Sequence, residues 1–273
     1  MKLKISLGAL IISFAVLMHG LSGLSAYANE PCVYSVGVVP QFDERRIHSV
    51  WTPLLENLGE IAGCELKLVG SKSIESYELE IREGKFDFAY TNPVQTWMGY
   101  TTQGYLPLAR SASKKLNGII VVRKNDRIQL LRELEGEKIA FPSPIAIGAT
   151  LLPQEDLNRL GVQFVPQYVK THSSVYFHVA KGLVRAGGGV GRTLNGQPAF
   201  IKERLRIIHT TESVFPHAFV AHGRVPKKMI ESLQAAWFAL WQVQPDLFTG
   251  IPMNNPETPL IEDYKSLEKW IIE

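Results

Sequence analysis

The stretch from Val33 to Val69 constrains this chain most. An apolar run, Val33–Val39, is stopped by Pro40-Gln41-Phe42, and an amphipathic segment follows. From Glu44 to Ala62 the apolar residues fall at Ile47, Val50, Trp51, Leu54, Leu55, Leu58 and Ile61. That stripe has the 3.6-residue period of a helix. Asp43 can cap it, Pro53 should kink it or begin a second segment, and Gly63 ends it. A second apolar run, Leu66–Val69, comes next. Strand, helix and strand at this spacing imply two strands lying parallel in one sheet.

The alternation continues. Ile74–Glu83 reads as a helix closed by Gly84, and Phe86-Asp87-Phe88-Ala89-Tyr90 as a buried strand. Thr91-Asn92-Pro93 then opens a helix running through Thr102. Further strands are expected at Gly104–Arg110, Leu116–Val122, Lys138–Phe141, Val162–Val169, Leu205–His209 and Pro216–Ala221. Helices are expected at Ile128–Leu134, from the 142–150 loop to about Leu160, over Val175–Lys181, and from Arg192. After Pro226, Met229, Ile230, Leu233, Ala236, Trp237 and Leu240 line one helical face. Leu260–Ile272 reads as a terminal helix with Tyr264, Leu267 and Trp270 inward. The class is therefore α/β with mainly parallel sheets. Strand-rich crossings near 111–122 and 211–221 divide it into two lobes: residues 29–115 with 216–273, and an inserted lobe, 116–215.

Residues 1–28 read as a cleavable export signal. Lys2 and Lys4 form a positive start, Leu7–Leu24 is mostly apolar, and Ala26-Tyr27-Ala28 is a small-x-small cleavage site. The apolar run is long enough for an uncleaved anchor, but its Ser and Gly interruptions and the cleavage site favour removal. Asn29-Glu30-Pro31 before Cys32 is no lipobox, so a lipid anchor is not expected. A soluble, exported, periplasmic protein is. Without the leader the 29 basic residues fall to 27 against 26 acidic, a net +1 in place of +3. No basic excess points to nucleic acid or a membrane surface. Cys32 and Cys64 are the only cysteines, and each begins a strand-like run. If those strands are parallel neighbours the sulfurs lie side by side, and an oxidising compartment would join them.

The polar turns carry the chemistry. Thr171-His172-Ser173-Ser174 follows a β-rich run and precedes a helix. Ser173 or Ser174 can cap that helix, leaving free N–H groups and the positive end of its dipole beside His172, which suits an anion. His172 either donates to such an anion or belongs to an ordinary cap network; His178 reads as structural. Tyr90, Thr91 and Asn92 stand at the carboxyl end of a strand, the edge where open α/β sheets bind ligands. Tyr90 could close over a ligand or simply fill the core, and Thr91 and Asn92 could merely cap the next helix. Arg45 and Arg46 occupy a helix's first turn, where positive charge opposes the dipole. They point to an anion, to pairing with Asp43 or Glu44, or to a solvated face. Arg192, just past the glycines, poses the same choice. Gly187-Gly188-Gly189 suits close packing rather than a phosphate cradle, because no Gly-Lys-Ser/Thr follows. There is no Gly-x-Ser-x-Gly, no His-Glu-x-x-His and no histidine spacing for zinc, so neither an enzyme nor a metal or cofactor is expected.

Several of these elements recur together in one family. They are Val38-Val39-Pro40-Gln41, Trp51-x-Pro53-Leu54-Leu55, Glu83-Gly-Lys-Phe-Asp-Phe-Ala-Tyr-Thr-Asn-Pro93, Leu134-x-Gly136-x-Lys138-Ile-Ala-Phe141, Tyr168-Val-Lys-Thr-His-Ser-Ser174 and Lys181-Gly-x-Val-x-Ala-Gly-Gly-Gly189. In this order and spacing the chain resembles the periplasmic solute-binding proteins of phosphate, phosphite and phosphonate ABC transporters. The resemblance implies the two-lobed, type II-like periplasmic-binding-protein fold, with two hinge-crossing strands and a ligand clamped between lobes. It implies ligand contacts at Gln41, at Tyr90, Thr91 and Asn92, at Gly148, Ala149 and Thr150, and at His172, Ser173 and Ser174. It implies a monomer that captures a small anion and passes it to an ABC permease in the inner membrane. A ligand-sensing partner of a membrane signalling protein is the alternative, and an enzyme on the same fold a weaker one. Two departures stand out. The family's Ser-Thr-Ser-Gly run reads Ala146-Ile147-Gly148-Ala149 here, and the acidic residues that meet a ligand amine are replaced near the glycines. An aminoalkylphosphonate is thereby disfavoured.

Overall fold

The computed structural model describes residues 32–113, 115–251 and 253–271. The export signal read from residues 1–28 and the end of the terminal segment at Ile272 lie outside them. The chain begins with β1 (Val33–Val38), α1 (Glu44–Ala62) and β2 (Glu65–Val69). Asp43 caps α1, its carboxylate accepting the Arg46 N–H at 3.1 Å. Gly63 ends the helix in the left-handed region at φ 74°, where a side chain would be strained. Pro53 sits inside α1 without ending it. The parallel register sets Val33 against Glu65, which brings Cys32 beside Cys64. Both cysteines are disulfide-bonded.

Next come α2 (Ile74–Arg82), β3 (Phe88–Thr91), α3 (Pro93–Gln103) and β4 (Leu106–Ser111). After the first crossing follow β5 (Leu116–Arg123), β6 (Lys138–Phe141), α4 (Leu152–Arg159), β7 (Val165–Tyr168), α5 (His172–Ala180), β8 (Ala186–Gly189), α6 (Gly191–Asn195), α7 (Ala199–Lys202) and β9 (Leu205–Val214). The chain then returns through β10 (Ala218–Ala221), α8 (Lys227–Val243) and β11 (Pro256–Glu257).

The strands form two sheets, ordered β11-β4-β10-β3-β1-β2 and β7-β6-β8-β5-β9. In the first, β1 to β4 run one way and β10 and β11 oppose them; in the second, only β5 opposes the rest. A parallel neighbour is reached only through a return crossover, usually a helix. Strands β5 and β10 follow directly on a crossing from the other sheet, with no helix between. Each therefore starts where its neighbours end: Ala218 pairs with Thr91, and Ile119 with Gly189. The carboxyl edges of the parallel strands in both sheets are thus turned toward the crossings.

Each sheet has its own packing. Trp51, Leu54, Leu55 and Leu58 of α1 bury against the first sheet with Phe88, Phe219, Trp237 and Leu240. Aromatic rings knit this core: Phe219 lies 4.5 Å from Trp237 and Trp51 lies 4.9 Å from Tyr90, between ring centroids. The second sheet is covered on both faces, and β5 shows it by alternation. Ile119 and Val121 join Val175, Tyr176 and Val179, while Ile120 and Val122 join Leu134, Ile139, Phe141 and Leu157. The described residues from Val33 onward pack as one compact unit.

Some elements differ from the sequence expectation. Thr171, rather than Ser173 or Ser174, caps α5, its hydroxyl accepting the Ser174 N–H at 3.0 Å. The helix therefore starts at His172. Ahead of α4 lies a π-helical turn, Ile147–Leu151, in which the Leu152 N–H reaches the Ile147 carbonyl. Pro153 has no N–H to offer the Ala149 carbonyl, so the turn winds wider. The segments expected to be helical at 128–134 and 260–272 are 3₁₀ turns, at Leu131–Leu134 and Ile261–Trp270.

The glycine run is a strand at the centre of the second sheet. A Cβ on Gly187 would lie 2.5 Å from Val175, and one on Gly188 would lie 2.0 Å from the Ala149 carbonyl. Helix α5 and the π-turn thus rest directly on bare backbone. Gly188→Ala should lower stability by roughly 1–3 kcal/mol through overpacking; an unchanged urea midpoint would show that the contact yields. Replacing both cysteines by serine should cost on the order of 3–4 kcal/mol, as expected for a closed loop of about thirty residues, read as the same midpoint shift.

Candidate functional site

The crossings form the floor of a cleft between the two sheets. A cavity of about 480 Å³ opens there, lined by Gln41 and Lys115–Asn117, by the Val190–Thr193 turn with Asn195, and by Pro216 and His217. It adjoins a narrower recess bounded by Phe42, Arg46, Trp51, Tyr90 and Arg192. No carboxylate lines either space. A hollow of about 650 Å³ lies at the far end of β5, away from the crossings. There Asp126 and Glu203 line the space among the basic residues, and Arg123 and Arg185 pair with Asp126.

From the first sheet come Gln41, Tyr90 and His217. Tyr90 is the third residue of β3 and is buried. Its hydroxyl has no hydrogen-bond partner, an expensive state for a buried polar group. Its ring stacks on His217 at 5.4 Å between centroids. The Gln41 side-chain amide donates to His217 Nε2 at 3.1 Å. His217 stands just before β10, and the antiparallel register of β10 on β3 is what carries it to the cleft edge.

From the second sheet comes the turn after β8. Tyr176 fills the space that a Cβ on Gly189 would take, 2.2 Å from its hydroxyl. That hydroxyl donates to the Val190 carbonyl at 3.0 Å and lies 2.7 Å from the Thr193 hydroxyl. His172 Nδ1 lies 3.1 Å from the same Thr193 oxygen. These bonds fix the first turn of α6 and with it Arg192. Among the described residues no carboxylate pairs with Arg192; its guanidinium lies 5.8 Å from the Phe42 ring centroid. Arg46 covers the same ring at 4.0 Å and donates from Nη1 to the Gly196 carbonyl at 2.7 Å, tying the first sheet's α1 to the end of α6. Arg45 points to solvent.

The electrostatics are one-sided. Burial, then the charge of Arg192, pushes His172 down from 6.5 to about 4 and His217 from 6.5 to about 3. Burial also lowers Arg192 and raises Tyr90. The cleft and recess therefore present the cations Lys115, Arg46 and Arg192, the neutral imidazole of His217 and a neutral phenol, with the neutral imidazole of His172 behind Thr193. It is an arrangement of donors without counter-charge, which suits an anion.

A family model described as an ABC transporter, phosphonate, periplasmic substrate-binding protein matches residues 36–264. The chain belongs to that family. The same fold is found in PhnD1 of Prochlorococcus marinus in complex with methylphosphonate, with TM-score 0.80, 16% identity, and 88% of this chain and 97% of that one covered. A binding-protein component of an ABC phosphonate transporter from Pseudomonas aeruginosa aligns at TM-score 0.78 and 12% identity, covering 88% and 86%. XAC2383 from Xanthomonas citri, bound to chloride ion, aligns at 0.72 and 16%, covering 87% and 96%. No curated protein sequence matches. As a member of the phosphonate-binding family, the chain is a periplasmic substrate-binding component of an ABC transporter, and a small ligand and a permease are its implied partners.

Of the residues expected at the site, Gln41 and Tyr90 line the cleft, and His172 lies buried behind Thr193. The others are engaged in the frame. Asn92 and Gln95 form a capping box on α3, and the Thr91 hydroxyl meets that of Thr96 at 2.7 Å. Thr150 donates to the Ser143 carbonyl at 2.6 Å. Gly148 and Ala149 pack beneath Val190 and against Gly188. Ser173 accepts from Gln197 at 3.2 Å, and Ser174 lies 2.9 Å from the Thr171 hydroxyl. Among the described residues no cluster of three His, Cys, Asp or Glu could hold a metal. His217 was not singled out from sequence; its only signal is a histidine placed just before the returning strand.

The buried imidazoles make stability depend on pH. The unfolded chain binds more protons than the folded one between about pH 6.5 and the lowered values. Their contribution is therefore complete above about pH 6.5 and is lost on acidification, at ~1.4 kcal/mol per histidine per pH unit. The loss of unfolding free energy between about pH 6.5 and 4.5 should be smaller in His217→Asn than in the wild type. Equal losses in urea titrations would show that His217 is not held neutral.

Proposed function

We propose that the protein captures a small tetrahedral oxyanion of the phosphate, phosphite or phosphonate kind between two lobes and presents the closed form to its permease. The lobes would be residues 29–115 with 216–273, and residues 116–215, turning about the crossing segments. Export through the 1–28 signal to the periplasm, a monomeric state and the absence of catalysis belong to the same reading. One observation carries it: Arg192, without a carboxylate partner, shares a recess with Tyr90, whose buried hydroxyl lacks a hydrogen bond. An oxyanion between them would accept from both, and would also reach His217 and the Gln41 amide. His172 would act through Thr193, holding the turn. The backbone at Thr91–Asn92, Gly148–Thr150 and Ser173–Ser174 would frame the site and direct helix N-termini toward it.

The absence of acidic lining residues argues against a ligand amine, as the sequence departures near the glycines do. Calorimetry with phosphate, phosphite, methylphosphonate, aminoethylphosphonate and sulfate tests the reading. At least one of the amine-free phosphorus oxyanions should bind, with aminoethylphosphonate weaker; failure of all of them sinks the proposal. Arg192→Gln should weaken binding by about 10- to 100-fold, the equivalent of one charge-assisted hydrogen bond at roughly 1.5–3 kcal/mol. Its unligated melting temperature should hold or rise, since an unpaired cation has been removed.

A further inference from the structure

We infer that the ligand carries an organic substituent ending in a second anionic group, with its oxyanion head at Arg192 and its tail at Lys115. The inference rests on the oxyanion reading above and extends it. Its first ground is size. A bare phosphonate head displaces on the order of three water volumes, ~90 Å³, whereas the cavity measures about 480 Å³. That volume lies within the range of pockets that enclose organic ligands, roughly 300–1,000 Å³.

The second ground is the lining. Arg192 is shared with the recess over Tyr90 and Phe42, so the head end is at that side. Lys115 is shared instead with a separate hollow that also contains Asp263, which marks the other end. In the same lining Leu116, Val190 and Pro216 offer apolar surface beside the amides of Gln41, Asn117 and Asn195. Lys115 is exposed and has no hydrogen bond or ion pair among the described residues. Asp263 does not neutralise it, being paired with Arg110 at 2.6 Å. Two cations in one cavity whose lining holds no carboxylate select a ligand that is anionic at both ends. They repel one whose tail is an amine.

The third ground is position. Lys115 lies on the first crossing, directly before β5, and Pro216 and His217 lie on the second. Atoms beside a hinge move least when lobes rotate, so this part of the cavity persists on closure.

Calorimetry on the mature protein tests this, with methylphosphonate, phosphonoacetate, phosphonopropionate and aminoethylphosphonate as probes. Phosphonoacetate or phosphonopropionate should bind at least about tenfold more tightly than methylphosphonate, and aminoethylphosphonate more weakly. Lys115→Gln should abolish the tenfold preference, weakening the carboxylated probes at least about tenfold more than it weakens methylphosphonate. Methylphosphonate binding with no gain from the carboxylated probes, or a gain that survives Lys115→Gln, overturns the extension alone. Binding of none of the probes overturns the extension, and overturns the oxyanion reading with it when phosphate and phosphite also fail to bind.

Discussion

Two strands enter their sheets from the wrong side, and the site depends on it. Because no helix intervenes at either crossing, β5 and β10 start at the carboxyl edge of the strands they join. Every turn that follows a parallel strand therefore ends near the crossings: Pro40–Phe42 after β1, Asn92 after β3, and Val190–Arg192 after β8. Open α/β sheets collect ligands at that edge. Here two such edges are brought to one place by the connectivity alone. Turns that are far apart in sequence become neighbours without a long loop.

Within that frame the position of Arg192 is set by what β8 lacks. Side chains at 187–189 would collide with α5 and with the π-turn. Their absence lets Tyr176 reach the backbone at Val190 and bond to both its carbonyl and its N–H, and to Thr193. His172 joins the Thr193 hydroxyl. The glycines thus act through packing: they admit the tyrosine, the tyrosine fixes the turn, and the turn aims a guanidinium into the cleft. The cation is held there at a desolvation cost that burial of Arg192 makes visible. Among the described residues no carboxylate offsets that cost, and an anion would. Electrostatic stress of this kind marks sites that recognise charge.

The sequence conveyed the fold well because its signals are local. The α1 stripe, the Asp43 cap, the Gly63 stop and the capping turn at Asn92 each rest on a few adjacent residues. They appear in the structure as read, as does the disulfide, whose register follows from one βαβ unit. The site was less legible. Thr91, Asn92, Thr150, Ser173 and Ser174 have the side chains of ligand donors, yet each is bonded to a neighbouring residue or cap. Hydroxyl and amide groups serve both purposes, and only the distances tell them apart. His217 had no motif around it. Its place opposite Asn92 comes from an antiparallel pairing between residues more than a hundred positions apart.

What the sequence by itself determined is the α/β alternation, the two crossings, the cysteine pair and the family. Helical period, caps and strand runs are short-range properties, and family membership is a pattern of such elements in order. What only the tertiary structure decided is which polar groups remain unsatisfied. Arg192, Tyr90 and Lys115 are ordinary residues in the chain. Folding brings Lys115 and Arg192 to one cavity and Arg192 and Tyr90 to the recess beside it, and no carboxylate lines either.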